Sequence, residues 1–181
     1  MIQLECKLPI LIDRFNQHSL YKTSLMNYFD DEELMKENFK YDNITKVDFN
    51  RAKDFERPWV KLIVEDLHKH FLKFADQMGF QKCVINDLWF QQYDNQGTHG
   101  WHVHGHNYTG VYYVNFNKDC AKTRIIDPVT QQIKDIDAEE GDVVIFPSTV
   151  VHRALVQEVD FSKVIISFNI TFDDVPRGKY D

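Results

Sequence analysis

The chain has 181 residues, 43% of them hydrophobic, 14% aromatic and 27% charged, with a formal net charge of −7. At roughly 150 residues per domain this is the length of a single domain (1–181), long enough to bury a full core without disulfide or metal staples. The composition excludes a disordered, collagen-like or coiled-coil chain, and the acidic balance argues against a dedicated nucleic-acid binder, which needs a basic footprint. Three widely spaced cysteines, Cys6, Cys83 and Cys120, fit neither a disulfide framework nor a CxxC zinc site, so a reducing compartment is expected. No apolar run reaches the roughly 18 residues of a membrane span. The opening MIQLECKLPILIDRF carries acids where a secretion signal carries Lys or Arg. A soluble, cytoplasmic protein is expected.

The first 80 residues read as helical and charged. Short helices are expected at 18–29 and at 31–38, where the acids of DDEE favour a helix N-terminus. The strongest helical signal is 57–78, where Trp59, Leu62, Ile63, Leu67, Phe71, Phe74 and Met78 recur at helical spacing. Pro58 suits its first turn and Gly79 its end. From residue 81 to 176 the pattern is β-like. Strands are expected at 83–93, 100–104, 109–116, 122–126, 132–136, 142–147 and 163–172, separated by turn signals such as Asp94-Asn95-Gln96-Gly97 and Glu139-Glu140-Gly141. Strands this short, so regularly spaced, predict a sandwich, jelly roll or small barrel with a helical N-terminal layer.

Five of the eight histidines fall between 99 and 152: His99, His102, His104, His106 and His152. Residues two apart in a strand share a face, so His102 and His104 can meet one metal ion. His152 follows the strand-like VVIFPSTVV, which can bring a third imidazole across the barrel. Imidazole suits zinc, copper, iron and nickel alike, so ligand type does not choose the metal. A solvent-facing, chemically idle cluster is the bland alternative, and His104 with His106 is the alternative register.

The stretch 88–172 resembles the iron(II)- and 2-oxoglutarate-dependent oxygenases, in particular the small prolyl-hydroxylase-like type of bacteria and phages. The matching text is His102-Val103-His104, then Thr109-Gly110-Val111-Tyr112-Tyr113-Val114-Asn115, then Gly141-Asp142-Val143-Val144-Ile145-Phe146-Pro147, then His152, Lys163 and VIISFNITF. The resemblance implies a double-stranded β-helix, or jelly roll, supported by helices on one sheet. It implies that His102, His104 and His152 hold iron(II). The departure is His104, because most of the family has a carboxylate there. The 2-oxoglutarate carboxylate falls to Lys163 with Ser167 and Tyr113, and Tyr93 lines the same pocket. Arg124 is a rival cation, and Arg153, next to His152, is expected to face substrate or solvent. The implied reaction consumes dioxygen and 2-oxoglutarate, releases succinate and carbon dioxide, and hydroxylates a protein side chain or a small metabolite. Two other readings stay open: a three-histidine cupin-type dioxygenase without 2-oxoglutarate, and a non-catalytic metal-binding β-sandwich.

Overall fold

The computed structural model describes residues 8–30 and 42–174. Its strands are β1 (Leu11–Arg14), β2 (Lys46–Val47), β3 (Lys82–Tyr93), β4 (His99–His102), β5 (Tyr108–Asn115), β6 (Thr123–Ile126), β7 (Ile133–Asp135), β8 (Asp142–Pro147), β9 (His152–Ala154) and β10 (Lys163–Asp173). Its helices are α1 (His18–Phe29) and α2 (Pro58–Gln77), with a 3-10 turn at Phe49–Arg51. All seven expected strands form, and both α-helices lie where expected. The helix expected at 31–38 lies outside the described residues. Strands β1, β2 and β9 are additions. They are two to four residues long, too short to show a period in the sequence.

The strands make two antiparallel sheets. The larger runs β1-β8-β5-β10-β3-β2 and the smaller β4-β9-β6-β7. This is the mainly β, helix-supported jelly-roll architecture expected from the sequence. Side chains alternate faces along a strand, so the larger sheet has two different faces. Leu88, Phe90, Tyr112, Val114, Val164, Ile166, Phe168 and Ile170 turn toward α1 and α2, where they meet Leu25, Phe29, Trp59, Ile63, Leu67, Phe71 and Phe74. Each such fully buried large apolar side chain contributes about 1.5–3 kcal/mol of transfer free energy. The residues between them, among them Trp89, Tyr93, Val111, Tyr113 and Ile165, face the smaller sheet and form a second cluster with Ile125 and Ala154.

α2 starts with Pro58, whose missing N–H costs nothing in a first turn. It ends in a left-handed glycine: Gly79 has φ +86, its N–H reaches the Asp76 carbonyl and that of Phe80 reaches Ala75. Leu62 corrects the expected stripe. It is 41% exposed, because it sits one step off the buried face, whereas Val60, His70 and Ala75 lie on that face and are buried. A buried polar knot ties α2 to the sheet. Asp48 accepts from the Phe90 backbone N–H (2.9 Å), the Trp59 indole (3.0 Å) and the Arg57 guanidinium, which also donates to the Leu88 carbonyl. Burial raises the Asp48 carboxyl and Arg57 opposes that rise.

One irregularity matters for the site. Ile85 pairs with Ile170 and Asp87 with Asn169, so Asn86 is an extra residue in β3. This bulge puts Cys83 and Ile85 on the helix side and Asp87, Trp89, Gln91 and Tyr93 on the opposite face. Among the described residues no helix is long and apolar enough to cross a membrane.

Gly110 explains the glycine in the β5 text. A Cβ there would lie 2.1 Å from the Val144 carbonyl oxygen and 2.6 Å from the Phe168 ring. Gly110→Ala is therefore expected to destabilise the fold by about 1–3 kcal/mol through overpacking, read as a lower urea midpoint. An unchanged midpoint would contradict this account of β5 and β8.

Candidate metal centre

The three predicted histidines converge between the two sheets. One ring nitrogen from each of His102, His104 and His152 lies within 4.8 Å of those of the other two. The ring centroids are 4.3 Å apart for His102–His152, 4.9 Å for His102–His104 and 5.0 Å for His104–His152. His102 ends β4 and His152 begins β9, and the two are direct cross-strand partners. His152 thus arrives at the start of a new strand and not at the end of β8, which stops at Pro147. His104 lies two residues past β4, held by its backbone N–H on the Ser148 carbonyl (3.1 Å).

Backbone carbonyls orient two of the rings. His102 Nδ1 is 2.7 Å from the Gly100 oxygen and His152 Nδ1 is 2.9 Å from the Val150 oxygen. A carbonyl only accepts, so each Nδ1 carries the proton and each Nε2 keeps a lone pair, as a metal ligand must. Trp89 lies against His104 (5.7 Å) and Phe146 meets His152 edge-on (4.8 Å). Burial holds these imidazoles neutral. It lowers His102, pulls His104 down to about 4, with His102 and His99 adding to the effect, and pulls His152 down to about 3. Neutral imidazole is the metal-binding form, so the set fits iron(II) as it fits other divalent imidazole-loving ions.

The cavity behind the triad is narrow, about 30 Å³, room for about two waters. Tyr93 and Ser167 line it, as do Gln91 and Thr123. Ser167 donates to the Gln91 side-chain oxygen (2.9 Å). Tyr113 sits behind Thr123, donating to its hydroxyl (2.7 Å). Lys163 is 1% exposed, donates to the Ala121 carbonyl (2.5 Å), and lies 5.4 Å from the Tyr93 ring centre. Burial pulls its ammonium down to about 8. No carboxylate of the described residues pairs with it. Arg124, by contrast, is spent on a two-pronged pair with Asp135 (2.5 and 2.9 Å) on the smaller sheet. The Arg153 guanidinium lies over the exposed Trp101 ring, 5.5 Å from its centre.

His106 stands off the triad, at φ +62, with Nε2 3.3 Å from Asp87. His99 and Gln91 were missed as a pair by sequence reasoning. His99 stacks on His102 at 4.0 Å and approaches the Gln91 amide (3.5 Å) and Asp42 (3.4 Å). The only signal for Gln91 was its place in the alternation of β3, two residues before Tyr93.

No protein-family profile matches the chain, and no curated protein matches it in sequence. Solved structures do match. The viral collagen prolyl hydroxylase of Paramecium bursaria Chlorella virus-1, in its 2-oxoglutarate complex, superposes with TM-score 0.64 at 13% identity, covering 93% of this chain and 97% of that one. The fold is that of the iron(II)- and 2-oxoglutarate-dependent oxygenases. The prolyl hydroxylase of Trichoplax adhaerens, solved with a hypoxia-inducible-factor peptide, gives 0.66 at 14% identity over 91% of this chain and 83% of that one. The non-haem α-ketoglutarate-dependent epimerase SnoN, from nogalamycin biosynthesis, gives 0.71 at 9% identity over 97% and 86%. At such identities the oxygenase fold is what is shared, and function must be argued from the site.

The lowered imidazoles carry a pH signature. A buried histidine whose folded value lies below 6.5 binds fewer protons than in the unfolded chain, so its contribution is whole above pH 6.5 and is lost as pH falls toward the folded value. The metal-free protein should therefore lose stability between pH 7 and pH 4 in urea denaturation, and His152→Leu should flatten part of that slope. His99, His102 and His104, with His18 and His70, are also lowered by burial and supply the remainder.

Proposed function

We propose that the protein is an iron(II)- and 2-oxoglutarate-dependent dioxygenase that hydroxylates a protein side chain or a small metabolite. His102, His104 and His152 would hold the iron. Tyr93, Tyr113, Lys163 and Ser167 would serve the 2-oxoglutarate. The observation that carries this reading is the triad itself: three neutral imidazoles, one buried and two half-buried, converging inside an oxygenase fold, two of them fixed with the Nε2 lone pair free. When bound, iron(II) with dioxygen and 2-oxoglutarate supplies the oxidation, in which one oxygen atom enters the succinate and the other the hydroxylated product, with carbon dioxide released.

The chain's own residues prepare that chemistry. The Gly100 and Val150 carbonyls hold His102 and His152 in the ligating tautomer. Trp89, Phe146, Val111 and Ile165 wall the site with apolar surface and keep bulk water out. Lys163 is a buried cation whose present partner is a single carbonyl, and a carboxylate of 2-oxoglutarate would be its counter-ion. The Ser167, Tyr113 and Thr123 hydroxyls are the neighbouring donors. The cavity is smaller than the acid, so its lining side chains would part on binding.

The all-imidazole triad also favours a second reading, a three-histidine dioxygenase that uses no 2-oxoglutarate. An anaerobic titration of metal-free protein with iron(II), then 2-oxoglutarate, separates the two. The expected result is a weak visible charge-transfer band from the chelated 2-oxoacid. His152→Ala should abolish it with an iron-affinity loss of at least about 100-fold, beyond what orienting groups alone are worth. Lys163→Met should retain iron but weaken 2-oxoglutarate by at least about tenfold, the weight of one charge-assisted hydrogen bond. Iron binding without a band would move the assignment to the second reading. Failure to bind iron would end both.

A further inference from the structure

A second pocket, about 220 Å³, lies on the outer side of the triad, between the Asp42–Phe49 segment and β4. Its apolar walls are Ile44, Phe49, Trp89 and Val103, and the rings of His102 and His104 form the partition it shares with the inner cavity. A ligand seated here therefore lies against the metal-binding imidazoles without entering the space assigned to 2-oxoglutarate.

Among the described residues the pocket has one carboxylate. Asp42 stands at its edge with its side chain 20% exposed. One carboxylate oxygen accepts from the Gly100 N–H (2.8 Å) and the other faces His99 Nε2 (3.4 Å). No Lys or Arg of the described residues lines the pocket. The carboxylate is fixed by two contacts and has no Lys or Arg partner among the described residues, in a setting where a partly buried charge interacts more strongly than in water.

We infer that this pocket binds an organic cation, an ammonium or guanidinium group on a compact apolar body, with the cation on Asp42 and the body between Phe49, Trp89 and Val103. That this ligand is the substrate rests on the oxygenase reading above; that the pocket selects cations does not. Trp89 and Phe49, packed edge to face with ring centres 5.0 Å apart, supply the apolar surface for the body. The same chemistry is presented by a free amine and by a lysine or arginine side chain of a peptide.

The test uses the metal-free full chain and two ligands of one shape and opposite charge, phenethylamine and phenylacetate, followed by tryptophan fluorescence and calorimetry. The amine should bind at least tenfold more tightly than the acid. Asp42→Asn, isosteric and still able to accept from Gly100, should remove the difference. Phe49→Ala, at a half-exposed position, should weaken the amine at least threefold. A capped glycyl-lysyl-glycine peptide identifies the source: tighter binding than the amine assigns a peptide side chain, weaker binding a free amine. Equal or preferred binding of phenylacetate, no binding of any cation, or an amine affinity unchanged in Asp42→Asn would overturn the inference. Because no iron is present, this result is independent of the charge-transfer titration, and either proposal can fail alone.

Discussion

The structure depends on one sheet serving two unlike neighbours. Along β3, β5 and β10 every second side chain must satisfy the apolar helix layer, and the ones between must build the partly polar interior between the sheets. A one-residue slip in pairing would exchange these sets, driving Lys163, Ser167 and Asn169 into Phe71 and Trp59 and exposing Val164, Ile166 and Phe168 to the site. That cost fixes register far more firmly than the hydrogen bonds of the ladder. It also explains why the helices matter to a site they do not touch: they select the face from which the site is made.

Within that frame the backbone sets the ring orientation of His102 and His152. Gly100 and Val150 each sit two residues before the histidine they orient, so the local turn of the chain sets the tautomer without another side chain. The triad contains no carboxylate, and the surroundings supply negative charge from outside it, with Asp87 facing His106 and Asp42 facing His99. Burial disfavours protonation of His102, His104 and His152, so the triad persists as lone-pair donors at neutral pH.

Much of the architecture was legible because long periodic elements announce themselves. α2, β8 and β10 are written in Trp59–Phe74, in DVVIFP and in VIISFNITF. The His102/His104 pair was legible because both residues fall on one face of a strand-like segment followed by a recognisable glycine-bearing strand. Other parts were not. β9 is three residues long and owes its pairing to β4 and β6, which no local pattern encodes. Leu62 looked like core because spacing alone does not fix the width of a buried stripe. Asp42 and Phe49 carry no period at all; they reach the triad through the Asn43–Thr98 bridge and β2, contacts between segments about fifty residues apart. The demotion of Arg124 likewise required a partner, Asp135, on a strand too short to read with confidence of facing.

The extra residue at Asn86 has a consequence for how such a protein can change. Upstream of it, β3 meets the helices through Cys83 and Ile85; downstream, Leu88 and Phe90 keep that seat while Asp87, Trp89 and Gln91 turn to the interior between the sheets. Because the bulge resets which side faces in, the two halves of one strand are insulated from each other's phase. Substitutions that retune the interior leave the helix seat in place, and drift in the helix seat does not rotate the interior. A continuous strand would have bound both halves to a single alternation, so the bulge acts as a joint along which the scaffold and the chemistry are free to diverge.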